Sequence, residues 1–529
     1  GNMSYPNGYV YKYNNDLFTQ NYQQLLKYNR KFGQHNVSLL AGHESYKSNT
    51  DYLYADRKNM FSYWDNQELN GATTYLSNGG YQNNYNTEGW IFRGLYDYDG
   101  KYFGQLSYRR DASSRFHPDH RWGNFYSFGG AWIMTKEAWM KDTKWLNELK
   151  IKASFGQNGN DNIGDFLYTD LYNINKGDGN DITLTLASIG NENITWETIT
   201  NVNVGVEFQM FRSRLRGSIE YFYRKTTDML SWVKVPVELG YSGSYFNVGD
   251  MSNKGVEIEI SGDPIVTKNL KWTVGLNLTA YKNKVITLNE SNKFNSLDGH
   301  AGYTSGSYFY GEGLPMYTWR LRKFAGVNEN GESTWYKHDD EGNLITTTDP
   351  TSITRDEDFF NCGTALPDFY GGFNTSLSAF GFDFNISFAY SVGGKVMDWT
   401  YLQLMQNPQS GLTGMALHRD ILNAWTPDNT GSDIPRLNYN DQYANYTSDR
   451  FLTNGSWLSL QNVSLSYSLP RKWANAAGLN SVRLGVSGEN LTYWSKRKGL
   501  DPRINSTGSI SATKYAPSRT IIGSISVGF

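Results

Sequence analysis

Alternation of apolar and polar residues is the feature that most constrains how this chain can fold. The last eleven residues, RTIIGSISVGF, place Ile521, Ile525, Val527 and Phe529 on one side of an extended strand. The segments KWTVGLNLTA and GFDFNISFAYSV repeat the pattern in the middle of the chain. Because successive side chains of a strand point to opposite faces, the pattern predicts many strands that have one apolar and one polar face.

Composition supports a chain made of strands and turns. Aromatic residues make up 16% of the 529 residues, and 53 Gly stand against 13 Pro. The net charge of −2, with basic residues spread along the chain, argues against nucleic acid as a partner. Cys362 is the single cysteine, which excludes an internal disulfide and a thiolate metal cluster. No apolar run is long enough for a transmembrane helix, but a membrane β-barrel needs no such run.

The connections between alternating segments are of two unequal kinds. Short turns are predicted at 29–36, 97–101, 211–217 and 379–383. Long polar loops are predicted at 46–88, 157–195, 226–252, 284–368, 394–454 and 489–516. Short turns on one rim and long loops on the other are typical of an outer-membrane barrel, whereas compact soluble domains rarely contain so many long loops.

The number of alternating segments predicts about fifteen strands. Bacterial membrane barrels close with an even number of strands, so an odd number indicates that part of the barrel lies outside this chain. Seven further strands would complete the roughly 22-stranded, plugged type of transporter barrel.

Several blocks, in a fixed order, carry a family resemblance. They include YDYDGKYFGQLSYRRDASSRF, RWGNFYSFGGAW, LKIKASFGQNGNDNIG, NVGDMSNKGVEIEI, ALPDFYGGFNTSLSAFGFDFNISF, NAWTPDNTGSDIPRL and SGENLTYWSKRKGLDP. With these blocks the chain resembles the C-terminal barrel of SusC-like (SusC/RagA-type) TonB-dependent outer-membrane transporters. The resemblance covers nearly the whole chain. It implies an all-β fold, a transmembrane antiparallel β-barrel with long extracellular loops, in which residues 1–529 form the C-terminal part.

The resemblance also implies a function and partners. Such transporters import a bulky nutrient across the outer membrane of Gram-negative bacteria, most often an oligosaccharide and in some members a peptide. A SusD-like surface lipoprotein covers the extracellular mouth, and the TonB complex supplies energy through an N-terminal plug and TonB box, which are not visible in this sequence. A dimer of transporter–lipoprotein pairs remains open. No cofactor and no metal are implied.

Aromatic residues in the predicted loops are the candidate substrate-binding residues, because sugar rings and peptide side chains stack on flat apolar surfaces. The candidates are Tyr63 and Trp64 in the loop 46–88, and Trp399, Tyr401 and Tyr443 in the loop 394–454. The alternative for each residue is packing within the loops or against the lipoprotein, since aromatic residues are also favoured at protein interfaces.

The apolar row at the C-terminus has a separate predicted role. We expect Ile525, Val527 and Phe529 to face lipid on the strand that closes the barrel, where pairing with the first strand removes an open edge. A terminal aromatic residue also resembles the signal that the outer-membrane assembly machinery reads.

Two other classes of function remain as alternatives. The barrel could be a surface receptor or adhesin that holds a ligand without importing it. It could also be a barrel hydrolase, which requires a serine, a histidine and a carboxylate at one rim. The 7 histidines and the lone cysteine form no such constellation in the sequence, so we predict that the chain is not an enzyme.

Overall fold

The computed structural model describes residues 5–62, 64–176, 181–234, 238, 240–241, 243–405, 416–438, 440–510 and 516–529, without the side chains of Lys176 and Lys234. The chain divides into two compact units. Unit 1 comprises Gly1–Gly130, Ser154–Thr200 and Thr226–Val248, and unit 2 comprises Ala131–Ala153, Asn201–Lys225 and Gly249–Phe529.

One antiparallel sheet of 15 strands dominates the structure, and its strands follow one another in chain order. This confirms the predicted all-β class and the predicted strand number. The strands are β1 Tyr9–Phe32, β2 His35–Met60, β3 Ala72–Tyr98, β4 Tyr102–Ser113, β5 Trp122–Ile133, β6 Leu146–Asn160, β7 Glu197–Met210, β8 Leu215–Thr227, β9 Gly249–Val266, β10 Leu270–Leu288, β11 Phe369–Ala379, β12 Phe382–Val392, β13 Trp457–Ser468, β14 Ser481–Ser495 and β15 Thr520–Gly528.

The predicted short turns are present, and residues with positive φ form them. Gly33 (φ 61°) lies between β1 and β2, and Asp99 (φ 55°) and Gly100 (φ 60°) lie between β3 and β4. Phe380 (φ 50°) and Gly381 (φ 89°) join β11 to β12. Short hairpin turns favour positive φ because their twist then matches that of the flanking strands.

The first three strands are much longer than the sequence indicates. β1, β2 and β3 contain 24, 26 and 27 residues, so most of the predicted loop 46–88 is a hairpin with a short connection at 61–71. A strand of that length reaches about 80 Å when extended, whereas the hydrocarbon core of a bilayer is about 30 Å thick. The prediction of a loop is wrong here. A strand that continues into water needs no apolar residues on one side, so it lacks the alternation by which strands were predicted.

In unit 1 the two faces of β1–β4 differ sharply. Residues that pair across the strands share a face. On one face lie the exposed apolar side chains of Leu26, Leu39, Phe92 and Leu106. We call this the apolar face, and the opposite side, which carries Glu44, Arg109 and Asp111, the polar face.

In unit 2 the long connections are folded rather than irregular, contrary to the prediction of polar loops. They form a five-stranded sheet (Asn295–Leu297, His300–Ser305, Tyr308–Gly311, Thr318–Leu321, Phe360–Thr364) and two three-stranded sheets (Phe324–Val327, Ser333–His338, Leu344–Thr347; Lys395–Asp398, Leu452–Asn454, Ser509–Ile510). A core of Trp319, Leu321, Ala365, Met397 and Phe451 lies between the five-stranded sheet and the sheet that contains Lys395–Asp398 and Leu452–Asn454. We call these sheets and their core the loop subdomain.

The remaining elements are short. Two further hairpins pair Leu171–Lys176 with Ile182–Ser188 and Leu230–Lys234 with Gly243–Asn247. The helices are α1 Trp399–Leu404 and α2 Arg471–Ala476, with single turns of 3-10 helix at Leu69–Gly71, Met134–Lys136, Ala138–Met140, Glu290–Asn292, Pro350–Ser352, Asp356–Asp358, Arg419–Asn423, Asp449–Phe451 and Pro502–Ile504. Within the described residues, no helix is both long and apolar enough to cross a bilayer.

β15 carries the C-terminal apolar row. It pairs with β14, with Ile525 opposite Leu484 and Val527 opposite Val482. The exposed fraction of Ile525 is 74%, and Phe529, which follows the strand, is 90% exposed. These side chains pack against little of the chain itself, and their proposed role in barrel closure stays a prediction.

Candidate functional site

Arg109 lies at the centre of an ion-pair cluster on the polar face of unit 1. Its Nε atom donates to both carboxylate oxygens of Asp111 at 2.7 Å, and its Nη2 atom donates to Glu44 Oε2 at 3.3 Å. Gln23 Nε2 donates to the other oxygen of Glu44 at 2.8 Å. The strand register explains the cluster, since Gly89 of β3 pairs with both Glu44 of β2 and Asp111 of β4. A Cβ atom at Gly89 would overlap the Asp111 carboxylate, so a larger residue there would force that carboxylate to shift.

A cavity of about 400 Å³, which we call the Arg109 pocket, opens beside this cluster. Its walls include Arg109, Asp111, Gln157, Phe125 and Trp196. The rings of Phe125 and Trp196 meet edge to face at 5.6 Å. Aromatic rings beside charged and amide groups can stack on a ligand and exchange hydrogen bonds with its hydroxyl or amide groups.

A second network ties the connection that follows β6 to the middle of β3 and to the end of β4. The hydroxyl of Tyr85 donates to Asp161 Oδ2 at 2.8 Å, and Ser113 Oγ donates to the same oxygen at 2.6 Å. Arg115 Nε donates to Asp165 Oδ1 at 3.0 Å, and its guanidinium lies 4.3 Å from the centre of the Tyr85 ring. This half-buried network holds the rim of the Arg109 pocket in place.

Beyond that network, five tyrosines cover the polar face of the extended strands. We call them the tyrosine cluster: Tyr11, Tyr13, Tyr52, Tyr54 and Tyr81. Ring centres lie 5.9 Å apart for Tyr13 and Tyr52, 5.2 Å for Tyr52 and Tyr81, and 6.0 Å for Tyr11 and Tyr54. Tyr13 and Tyr81 are 65% and 57% exposed. The cluster is a neutral aromatic surface, open to solvent, on the same face as the Arg109 pocket.

Comparison with known proteins identifies the family. A family model described as "TonB dependent receptor-like, beta-barrel" matches residues 1–404. The chain belongs to this family. TonB-dependent receptor P3 of Formosa agariphila is 30% identical over 94% of this chain and 50% of its own length. TonB-dependent receptor SusC of Bacteroides thetaiotaomicron is 28% identical over 81% of this chain and 43% of its own length.

A solved structure has the same fold. The RagAB peptide transporter superposes with a TM-score of 0.86 and 24% identity, over 98% of this chain and 56% of that chain. The chain therefore spans about half the length of the relatives that it matches. The predicted resemblance to SusC/RagA-type transporters is confirmed.

Family membership indicates which face of the sheet meets lipid and which points into the barrel. This TonB-dependent receptor barrel is an outer-membrane protein, so its apolar face meets lipid and its polar face points inward. In such barrels the short turns lie on the periplasmic side and the long connections outside the cell. The tyrosine cluster consequently belongs to the extracellular part of the receptor barrel, and the Arg109 pocket lies deeper on the same inner face.

Of the five predicted substrate-binding residues, four lie in the part of the chain that the structure describes, and Tyr63 lies outside it. Trp64 is 86% exposed in the connection between β2 and β3. Tyr443 is half-buried, and its ring meets the Tyr446 ring edge to face at 6.1 Å. A role for Trp64 or Tyr443 in binding stays a prediction.

Trp399 and Tyr401 make packing contacts in α1. Trp399 Nε1 donates to Ser509 Oγ at 2.9 Å, and the Tyr401 hydroxyl donates to Asp420 Oδ2 at 2.9 Å. The Arg497 guanidinium lies 3.9 Å from the centre of the Tyr401 ring, and both aromatic side chains pack on the core of the loop subdomain. These contacts favour the alternative of loop packing for this pair, whose role in binding stays a prediction.

Sequence reasoning missed the Arg109 pocket. Its residues come from β3, β4, β5 and β6 and from Trp196 just before β7, and only the register of the sheet brings them together. A local signal existed, because Arg109 and Asp111 alternate with Tyr108 and Arg110 and therefore share one face. Three residues of the tyrosine cluster, Tyr52, Tyr54 and Tyr81, lie within the predicted loop 46–88.

Cys362 is expected to be chemically inert. Burial raises the pKa of the Cys362 thiol to about 12, and only the thiolate is a nucleophile. We expect almost no labelling of the native protein by iodoacetamide at pH 8, and complete labelling after denaturation, as measured by mass spectrometry. Rapid labelling of the native thiol would contradict the structure around Cys362.

Proposed function

We propose that the whole protein to which this chain belongs is a TonB-dependent importer of a bulky nutrient. The observation that carries the proposal is a sheet of the TonB-dependent receptor family whose polar face bears an aromatic surface leading to a polar pocket. Substrate binds first at the tyrosine cluster and then near the Arg109 pocket. An N-terminal plug with its TonB box, and the remaining strands, belong to the rest of the protein and couple transport to the energised inner membrane.

An oligosaccharide is the first choice of substrate, and a peptide is the second. Tyrosine rings are neutral, and sugar rings stack on such surfaces. In the Arg109 pocket one cation faces two carboxylates, Asp111 and Glu44, which disfavours anionic ligands. Gln157 offers an amide to hydroxyl groups. A peptide remains second because its backbone amides bind similar groups and because the RagAB relative is described as a peptide transporter.

A SusD-like surface lipoprotein is the proposed partner on the extracellular side, and the TonB complex is the partner in the periplasm. The similarity to SusC and to RagAB supports this pairing. We expect the native protein, extracted gently from outer membranes, to have roughly twice the mass of this chain and to co-purify with a lipoprotein. Pairs of transporter and lipoprotein could associate further as dimers. If the native protein had only the length of this chain and no lipoprotein attached, the proposal of an importer would fail. A surface receptor that holds its ligand without importing it would then be the better proposal.

The tyrosine cluster should contribute directly to substrate capture. We expect Tyr81→Ala in the whole protein to weaken binding of its substrate about fivefold, because an aromatic stacking contact contributes about 1 kcal/mol. Isothermal titration of the purified protein with neutral oligosaccharide pools, and then with peptide pools, measures the effect.

The matched control is Tyr75→Ala. Tyr75 is 63% exposed, close to the 57% of Tyr81, but its hydroxyl donates to Asn78 and its ring lies outside the cluster. Equal losses in the two variants would mean that the tyrosine cluster is not a binding surface. If Tyr81→Ala weakened the binding of peptides but not of oligosaccharides, a peptide would become the first choice of substrate.

A further inference from the structure

A groove of about 450 Å³ lies in unit 2, near the short turns after β7 and β9, on the side of the sheet that carries Ile260 and Leu276. Leu215, Ile260, Val274, Leu276 and Phe373 line it. Strand pairing places these residues on one face, since Ile260 pairs with Leu276 and Leu276 pairs with Phe373. Leu276 and Phe373 are 41% and 40% exposed, so the groove is open to the surroundings of the sheet.

An irregularity of β9 creates the groove. The register of β9 and β10 shifts between Gly262 and Ile265, and Asp263 and Pro264 lie within the shift. Gly262 pairs with Val274 and has no side chain to fill the space above it. A Cβ atom at Gly262 would lie 3.3 Å from the Arg214 carbonyl oxygen and 3.8 Å from Leu215 Cδ1, so a larger residue here enters the groove only if that carbonyl moves by a few tenths of an ångström.

The charges at the groove leave one cation without an acidic partner. Asp263 accepts from Thr273 Oγ1 at 2.7 Å and from Arg216 Nη1 at 3.4 Å, and Lys271 Nζ lies 3.8 Å away. Among the described residues, Arg214, which lines the groove and is exposed, has no ion pair. Arg214, an exposed residue without an ion pair in the described part of the chain, therefore forms part of the wall of an acyl-sized apolar groove.

We propose that this groove binds one glycerophospholipid of the periplasmic leaflet, with an acyl chain in the groove and the phosphate on Arg214. The short turns of the family lie on the periplasmic side, where the lipids of an outer membrane are glycerophospholipids. A chain in the groove contacts protein on several sides and gains dispersion contacts that a flat surface does not offer. Arginine binds phosphate by charge-assisted hydrogen bonds. The inference does not depend on what the whole protein transports.

Native mass spectrometry of the full-length protein in detergent, titrated with palmitoyl-oleoyl phosphatidylglycerol, tests the site. The wild type should bind a first lipid more tightly than further ones. Arg214→Gln should weaken that first binding about fivefold, as expected for removing one basic contact to an anionic lipid. Gly262→Leu should remove the site, because the new side chain fills the groove.

Two controls keep the test specific. Arg212→Gln removes the same charge from the same turn at a residue that does not line the groove. Gly104→Leu adds the same side chain on the apolar face of unit 1, where a Cβ atom would meet nothing within 4 Å. We expect both control variants to bind the first lipid as the wild type does. Unchanged binding by Arg214→Gln or by Gly262→Leu, or an equal loss in the controls, would overturn the proposal.

Discussion

Trp319→Ala should lower the free energy of unfolding of the loop subdomain by about 3–5 kcal/mol, the usual cost of truncating a buried tryptophan. Trp319 is fully buried, and its ring lies 4.4 Å from that of Tyr308. Its Nε1 atom donates to the Lys395 carbonyl oxygen at 3.0 Å. The side chain therefore joins the five-stranded sheet to the strand Lys395–Asp398, and its loss leaves a cavity and an unpaired carbonyl.

Limited proteolysis in detergent measures this effect. We expect rapid cleavage within 289–368 and 393–456 in Trp319→Ala, while the strands of the large sheet remain protected. Trp139→Ala is the control, because Trp139 is 63% exposed and should tolerate truncation. Equal protease resistance of the two variants would mean that the extracellular connections do not share a core.

Leu106→Arg should destabilise the membrane-inserted protein by about 2–4 kcal/mol, the cost of a basic residue at the lipid-facing midplane of a β-barrel. Leu106 is 53% exposed on the apolar face, within β4. The matched control is Gln105→Arg, one residue earlier, whose side chain points to the polar face. Water and polar groups on that side should accept the charge at little cost.

The measurement is the denaturant midpoint of unfolding in lipid vesicles, together with the amount inserted in the outer membrane. A large loss for Leu106→Arg and a small one for Gln105→Arg would support the assignment of faces. The reverse order would contradict it, because the apolar face would then point away from lipid.

Strand number and short turns were predictable because both depend on local sequence. The period of two persists through β9 to β12, and residues such as Asp99 and Gly100 permit the positive φ of a hairpin. Strand length was not predictable in the same way. Tyr81 lies among Asn, Gly and Gln residues (NGGYQNNYN), where apolar residues do not alternate with polar ones and a strand cannot be told from a loop.

The site and the loop subdomain depend on contacts between distant parts of the chain. Trp196 reaches Phe125 only through the register of the sheet, and Trp319 shares its core with Phe451. One sequence does not contain the information about such pairings. Aromatic residues predicted for binding can therefore be core residues, and the packing of Tyr401 illustrates this ambiguity.

Uptake by living cells tests the central proposal most directly. Cells that express the whole protein, with and without a functional TonB, would receive labelled neutral oligosaccharides and, in parallel, labelled peptides. We predict TonB-dependent accumulation of label inside the outer membrane, and less accumulation with Tyr81→Ala than with Tyr75→Ala. Label that binds at the cell surface but never accumulates, whether or not TonB is present, would contradict the importer and leave a surface receptor.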